Sequence, residues 1–207
     1  MSLVSYSDIS HQVYSYLGYR NLSRDPKIDK LIEECLEEIE EISSFKYIYQ
    51  EFDYILDFLN KKQYLDYLGE SKSYLICATT LGSQVDQRSK YYQKKDMVKM
   101  CVFDATASAY LEYKADLFEK SIRDDLSYRF CPGYQGTDVA DIRPIHSLLK
   151  ADKLIGITLL DSNLMVPQKS MVGIVGINNH AKKSCKDCFL IENCDYRKEG
   201  LRCYTIK

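Results

Sequence analysis

A mixed α+β domain is predicted for this chain, a twisted antiparallel sheet flanked by helices with a short cysteine-rich tail after it. Segments of helical period and short strand-like apolar runs alternate along the sequence without the spacing of repeated βαβ units. The chain has 207 residues, 45% of them hydrophobic, enough for one well-packed core. It contains no internal repeat and no low-complexity linker. These observations put residues 1–180 in a single domain, with N-terminal helices within 1–42 packed on it, and leave 181–207 as an appendage.

The elements follow from local pattern. Residues 7–17 set Ile9, Val13, Tyr16 and Leu17 on one side, and Gly18 stands where a short helix would stop. Asp25 and Pro26 supply an N-cap and a first-turn proline. Ile28, Leu31, Ile32, Cys35, Leu36, Ile39 and Ile42 then recur at helical spacing, with glutamates on the other faces. Residues 45–59, rich in Tyr, Ile and Phe, predict a strand or hairpin, and residues 61–68 a helix. Residues 73–79 form an apolar run ending at Thr80-Leu81-Gly82, the pattern of a buried strand delivering its end to a loop. A long helical region spans 85–126 with a break near Asp96. Residues 138–149 predict a helix in which Pro144 locates an early turn or a kink. Strands are expected at 155–160 and 171–177, joined by a loop at Met165-Val166-Pro167.

Composition excludes several classes of function. The formal charge is −2 with a pI near 6.0, so there is no basic footprint for nucleic acid. The first thirty residues lack a signal-peptide pattern and no apolar run is long enough to span a bilayer, which predicts a cytoplasmic protein without membrane partners. In that compartment eight cysteines point to buried thiols and a metal site rather than to disulfides.

Two stretches carry chemistry. Asp104, Ser108 and Glu112 fall at i, i+4 and i+8, a polar line along a helix otherwise made of apolar and small residues. Glu112 is read either as a partner of Lys114, Lys120 or Arg123, or as a carboxylate for a cationic ligand. The second stretch is Arg129-Phe130-Cys131-Pro132-Gly133-Tyr134: a guanidinium fork, a tight Pro-Gly turn and a flat ring with a polar tip. By spacing alone, Arg129 receives a ligand carboxylate, or is an exposed arginine beside a turn, or clamps a nearby Asp such as Asp124 or Asp125.

Together with the later segment Ile155-Gly156-Ile157-Thr158-Leu159-Leu160-Asp161-Ser162-Asn163-Leu164-Met165-Val166-Pro167, continuing through Ser170 to Gly173, these stretches resemble the activation domain of cobalamin-dependent methionine synthase. That family carries R-x-x-x-G-Y followed by a segment of this type, and the resemblance covers residues 74–177. It implies a mixed α+β fold and binding of S-adenosylmethionine. Arg129 would hold the ligand's carboxylate, Glu112 its cationic part, and Cys131, Gly133, Tyr134, Ser170 and Gly173 would shape the site. It also implies a methyltransferase-class subunit for reductive remethylation, with cobalamin brought by a methionine synthase subunit or another corrinoid protein and an electron brought by a donor protein. No D-x-H-x-x-G motif is present to hold cobalamin in this chain. The sequence departs from the family after Gly173, where Ile174-Val175 stand in place of aromatic residues that line the nucleoside pocket. A family acidic ligand-binding residue near the N-terminus also has no match.

The tail spaces Cys185, Cys188, Cys194 and Cys203 as a C-x-x-C opening followed by two further thiols. Four thiolates suit an iron–sulfur cluster or tetrahedral zinc, and spacing does not choose between them; free thiols, or disulfides formed on isolation, are the other reading. A non-catalytic metal module docking on corrinoid proteins is therefore the alternative function. An independent methyltransferase is disfavoured by the missing glycine-rich nucleotide loop.

Overall fold

A computed structural model describes residues 4–19, 24–71, 73–178, 192, 195–198 and 200. Helix α1 (Tyr6–Tyr16) opens with a capping box in which the Asp8 carboxylate accepts the Ser5 backbone N–H at 2.8 Å, and it buries Ile9 and Val13. Helix α2 (Pro26–Ile42) begins at the predicted cap, with the Asp25 carboxylate accepting from Lys27 N at 2.9 Å, and buries Ile32, Cys35, Leu36 and Ile39. Asp29 on α2 accepts the hydroxyls of Tyr6 and Tyr14, each at 2.5 Å, tying the two helices together.

The break expected near Asp96 separates α4 (Ser83–Lys95) from α5 (Met97–Ile122), and the Asp96 side chain caps α5 by accepting from Lys99 N at 3.0 Å. Helix α5 is the hub: α1, α2 and α4 all pack on it. Its run of Ala105, Ala107 and Ala109 is buried, and these small side chains permit the close approach.

Strands β1 (Lys46–Phe52), β2 (Tyr74–Thr80) and β5 (Ser170–Gly176) form a three-stranded antiparallel sheet in the order β1-β2-β5. Alternation assigns its two faces. Ile76, Ala78, Val172 and Ile174 join Phe130, Tyr64 and Ile145 in one core, beneath α3 (Lys62–Leu68), α6 (Ile142–Leu148) and α7 (Ala151–Ile155). Leu75, Cys77 and Val175 face the other way, toward α5, where the Tyr47 ring packs at a tilt on Phe118, centroids 4.6 Å apart. The predicted α+β class, an antiparallel sheet flanked by helices, is the observed one.

Three details differ from the sequence reading. Residues 45–59 make one strand and a 3-10 turn, Asp57–Leu59, not a hairpin. Residues 155–160 do not form a strand that joins the main sheet: Ile155 closes α7, Gly156 takes a φ of 76°, and only β3 (Thr158–Leu159) is extended. It pairs with β4 (Met165–Val166), so half of the expected loop is a strand of a separate two-stranded hairpin. The apolar run reads alike in either state, and the left-handed turn at Gly156 decides it. Among the described residues no helix is long and apolar enough to cross a membrane.

Candidate functional site

One face of α5 borders a cleft of about 610 Å³ whose wall includes Asp104, Ser108 and Glu112, the polar line expected from spacing. Tyr16 and Leu17, at the C-terminal end of α1, form the second wall, and Tyr134 reaches in from the turn after the sheet. The Glu112 carboxylate is anchored from α1: the Tyr16 hydroxyl donates to Oε1 at 2.5 Å and Gln12 Nε2 to Oε2 at 2.8 Å. Burial, then Glu112, pushes the Tyr16 phenol well up, so the phenol stays a donor. At the next turn, Lys169 Nζ donates to Ser108 Oγ at 2.8 Å and lies 2.8 Å from Asp104 Oδ1.

The R-x-x-x-G-Y stretch divides between two environments. Phe130 exchanges backbone bonds with Ile174 at 2.8 and 2.9 Å and drops its ring into the core. Strand alternation therefore turns Arg129 and Cys131 to the opposite face, toward α5. Gly133 takes a φ of 90°, a conformation that favours glycine, and its N–H donates to Thr137 Oγ1 at 3.0 Å. Thr137 Oγ1 in turn donates to Tyr134 O at 2.7 Å, so the turn is latched from behind while the Tyr134 ring is 69% exposed on the cleft side.

Arg129 lies elsewhere. Its side chain is 6% exposed and its guanidinium is engaged by Glu119 and, at 3.2 Å, by Asp116, both on α5; neither Asp124 nor Asp125 is its partner. Asp125 is held by Arg123 at 2.8 Å. Tyr47 also donates to Glu119 at 2.8 Å. Burial works against the Arg129 charge, and Glu119, with Asp116 beside it, more than offsets it, so the guanidinium is firmly cationic. Burial, with Glu119 next, pushes the Cys77 thiol up to about 12, which leaves it unreactive.

Gly173 has a steric reason to be glycine. A Cβ there would meet Arg129 Cγ at 2.5 Å and Cδ at 3.0 Å, so the arginine stem crosses the sheet over a bare backbone. Ser170 is buried, its hydroxyl donating to Pro167 O at 2.7 Å and sharing a hydrogen bond with Thr80 Oγ1 at 2.8 Å, and it secures the loop that carries Lys169. Of the expected site residues, Glu112 and Tyr134 thus share the cleft. Arg129 and Gly173 meet behind it, and Ser170 supports a neighbouring loop.

Cys185, Cys188, Cys194 and Cys203 lie outside the described residues. Among the described residues no group of three or more His, Cys, Asp or Glu is placed to hold a metal ion. Gln12, Tyr16 and Lys169 were missed by sequence reasoning. Tyr16 has the spacing of an apolar helix face, and nothing in the local pattern pairs Lys169 with residues of a helix far earlier in the chain.

No protein-family model matches this sequence and no curated protein matches it. Among solved structures, the crystal structure of the MetH reactivation domain bound to AdoHcy matches it with a TM-score of 0.57 at 16% identity, over 97% of this chain and 85% of that one. At that identity the match establishes the fold: this chain is built as the MetH reactivation domain is built.

Proposed function

We propose that this chain is an activation module that binds S-adenosylmethionine in the α5 cleft and serves a corrinoid-carrying methyltransferase. The observation that carries the reading is the meeting of Glu112 and Tyr134, from separate motifs, in one cleft of a fold shared with a domain bound to AdoHcy. About 610 Å³ lies within the usual range for small-molecule sites, roughly 300–1,000 Å³. Glu112, oriented by Tyr16 and Gln12 and with acceptor sites left over, would face the ligand's cationic part. Tyr134 would cover the ligand with its ring, on a turn that Gly133 and Thr137 hold in place.

The chemistry this implies is transfer of the sulfonium methyl to a reduced corrinoid cobalt supplied by a partner, with one electron from a donor protein and the thioether S-adenosylhomocysteine as the product left behind. The chain's own part is to bind and orient the methyl donor. Cys185, Cys188, Cys194 and Cys203 are given no step in this proposal.

Calorimetric titration with S-adenosylmethionine and S-adenosylhomocysteine tests it. Both should bind, and Glu112→Gln should weaken the cationic ligand more than the neutral thioether. No heat from either ligand up to millimolar concentration sinks the reading.

A further inference from the structure

Two helices that pack together on α5 carry opposite charge. Helix α2 has seven acidic and two basic side chains, whereas α4 has four basic and one acidic. They meet where Glu38 takes Arg88 and, at 2.6 Å, the Tyr92 hydroxyl. Further along, Lys99 on the first turn of α5 lies 3.8 Å from Glu34, and at the other end Ile42 shares a groove with Gln84. The two helices therefore run antiparallel. That leaves Glu34 and Glu37 exposed along α2 beside Lys94 and Lys95, exposed near the end of α4.

The groove between them holds about 450 Å³ and is lined by Ile42, Gln84, Gln87, Arg88 and Tyr91. The last four share one face of α4 by helical spacing, and the Tyr91 ring is 53% exposed there. A surface with an acidic stripe, a basic stripe and an aromatic ring between them is complementary to itself. A two-fold axis running along the groove carries α2 of one copy over α4 of the other and the reverse, so every contact forms twice. Lys94 and Lys95 of each copy then oppose Glu34 and Glu37 of the other, and the Tyr91 rings close over the groove near the axis.

We propose that this face joins two copies of the chain in solution, with the charged stripes setting the alignment and the Tyr91 rings supplying the apolar centre. Exposed ion pairs contribute little affinity by themselves, but they direct the encounter and make it sensitive to salt. An acidic partner protein would use only the α4 half of the face and a basic one only the α2 half, whereas a second copy uses both. None of these residues lines the α5 cleft, so the inference does not depend on the methyl-donor reading.

Sedimentation velocity on the full chain tests it, at low salt and in about 1 M salt, where charges are screened beyond about 3 Å. Wild type should sediment as a dimer at low salt, with a dissociation constant weakened about tenfold or more at high salt. Lys94→Glu/Lys95→Glu should be monomeric at low salt, and so should Glu34→Lys/Glu37→Lys. An equimolar mixture of these two variants should restore the dimer, because each then offers the charge that the other lacks. Tyr91→Ala, which keeps every charge, should weaken the dimer about tenfold at low salt. Circular dichroism reports whether each variant is folded, and should a charge variant not fold, Tyr91→Ala carries the test alone: a dimer as tight as wild type overturns the proposal. A wild type that is monomeric at low salt, a dimer that survives either charge reversal, or a mixture that stays monomeric overturns it too. Assemblies larger than a dimer at low salt would mean head-to-tail pairing of α4 on α2 and overturn the two-fold arrangement.

Discussion

Helix α5 carries two glutamates, Glu112 and Glu119, in different surroundings, and the two do different work. Toward its C-terminus Glu119 is 7% exposed and closed around Arg129 and Tyr47 against the sheet. Two turns earlier Glu112 faces a cleft, held only from α1. The chemical groups are the same; what differs is what lies opposite. Where a sheet covers the helix, a carboxylate must be fully paired, because an unpaired buried charge is costly. Where the helix runs past the sheet, the carboxylate keeps acceptor sites that nothing in the fold consumes, and those are what a ligand can use.

The contrast can be broken most sharply at Arg129. Arg129→Met should destabilise the protein by about 3–5 kcal/mol in denaturant unfolding, since it strands Glu119 in the interior; a loss under ~1 kcal/mol would mean the pair behaves as an exposed one. Gly173→Ala comes next, at about 1–3 kcal/mol, because its Cβ must displace the arginine stem, and the loss should shrink in an Arg129→Met background.

At the cleft the balance reverses. Glu112→Gln should change stability by no more than about 1 kcal/mol, since the amide can still bond Tyr16 and Gln12. S-adenosylmethionine affinity should fall about tenfold, roughly 1.4 kcal/mol. Equal effects on folding and binding would erase the distinction between the two glutamates.

The smallest effect is expected at Lys114, between Glu112 and Glu119 on α5, which is 7% exposed and lies 5.8 Å from the Phe45 ring centroid and 5.6 Å from that of Tyr110. Burial lowers its pKa, opposed by Glu40. Between the lowered folded value and the ordinary lysine value the unfolded chain binds more protons, so stability should rise with pH across that window. Lys114→Met should stabilise the protein at neutral pH by about 1 kcal/mol, with a gain that fades as pH climbs through the window. A destabilised variant at neutral pH would show that the rings favour the charge more than burial opposes it.

Local grammar determined much of this molecule. The cap at Asp25-Pro26, the stop at Gly18, the break at Asp96 and the buried run of β2 are read within a few residues, because caps, glycines and periodicity act over one or two turns. The 104/108/112 line was legible for the same reason: helical spacing alone puts those side chains on one face. Local pattern failed at residues 155–160, where an apolar run fits helix and strand alike and Gly156 settled the matter. It could not say which carboxylate meets Arg129, since Glu119 and Asp116 become its neighbours only when α5 lies across the sheet, nor that Lys169 would reach Asp104 and Ser108. Residue type and spacing determine which charges the chain carries and which face of an element they share. Which of those charges is consumed inside the fold and which is left for a ligand depends on what packs opposite, and only the tertiary structure decides that.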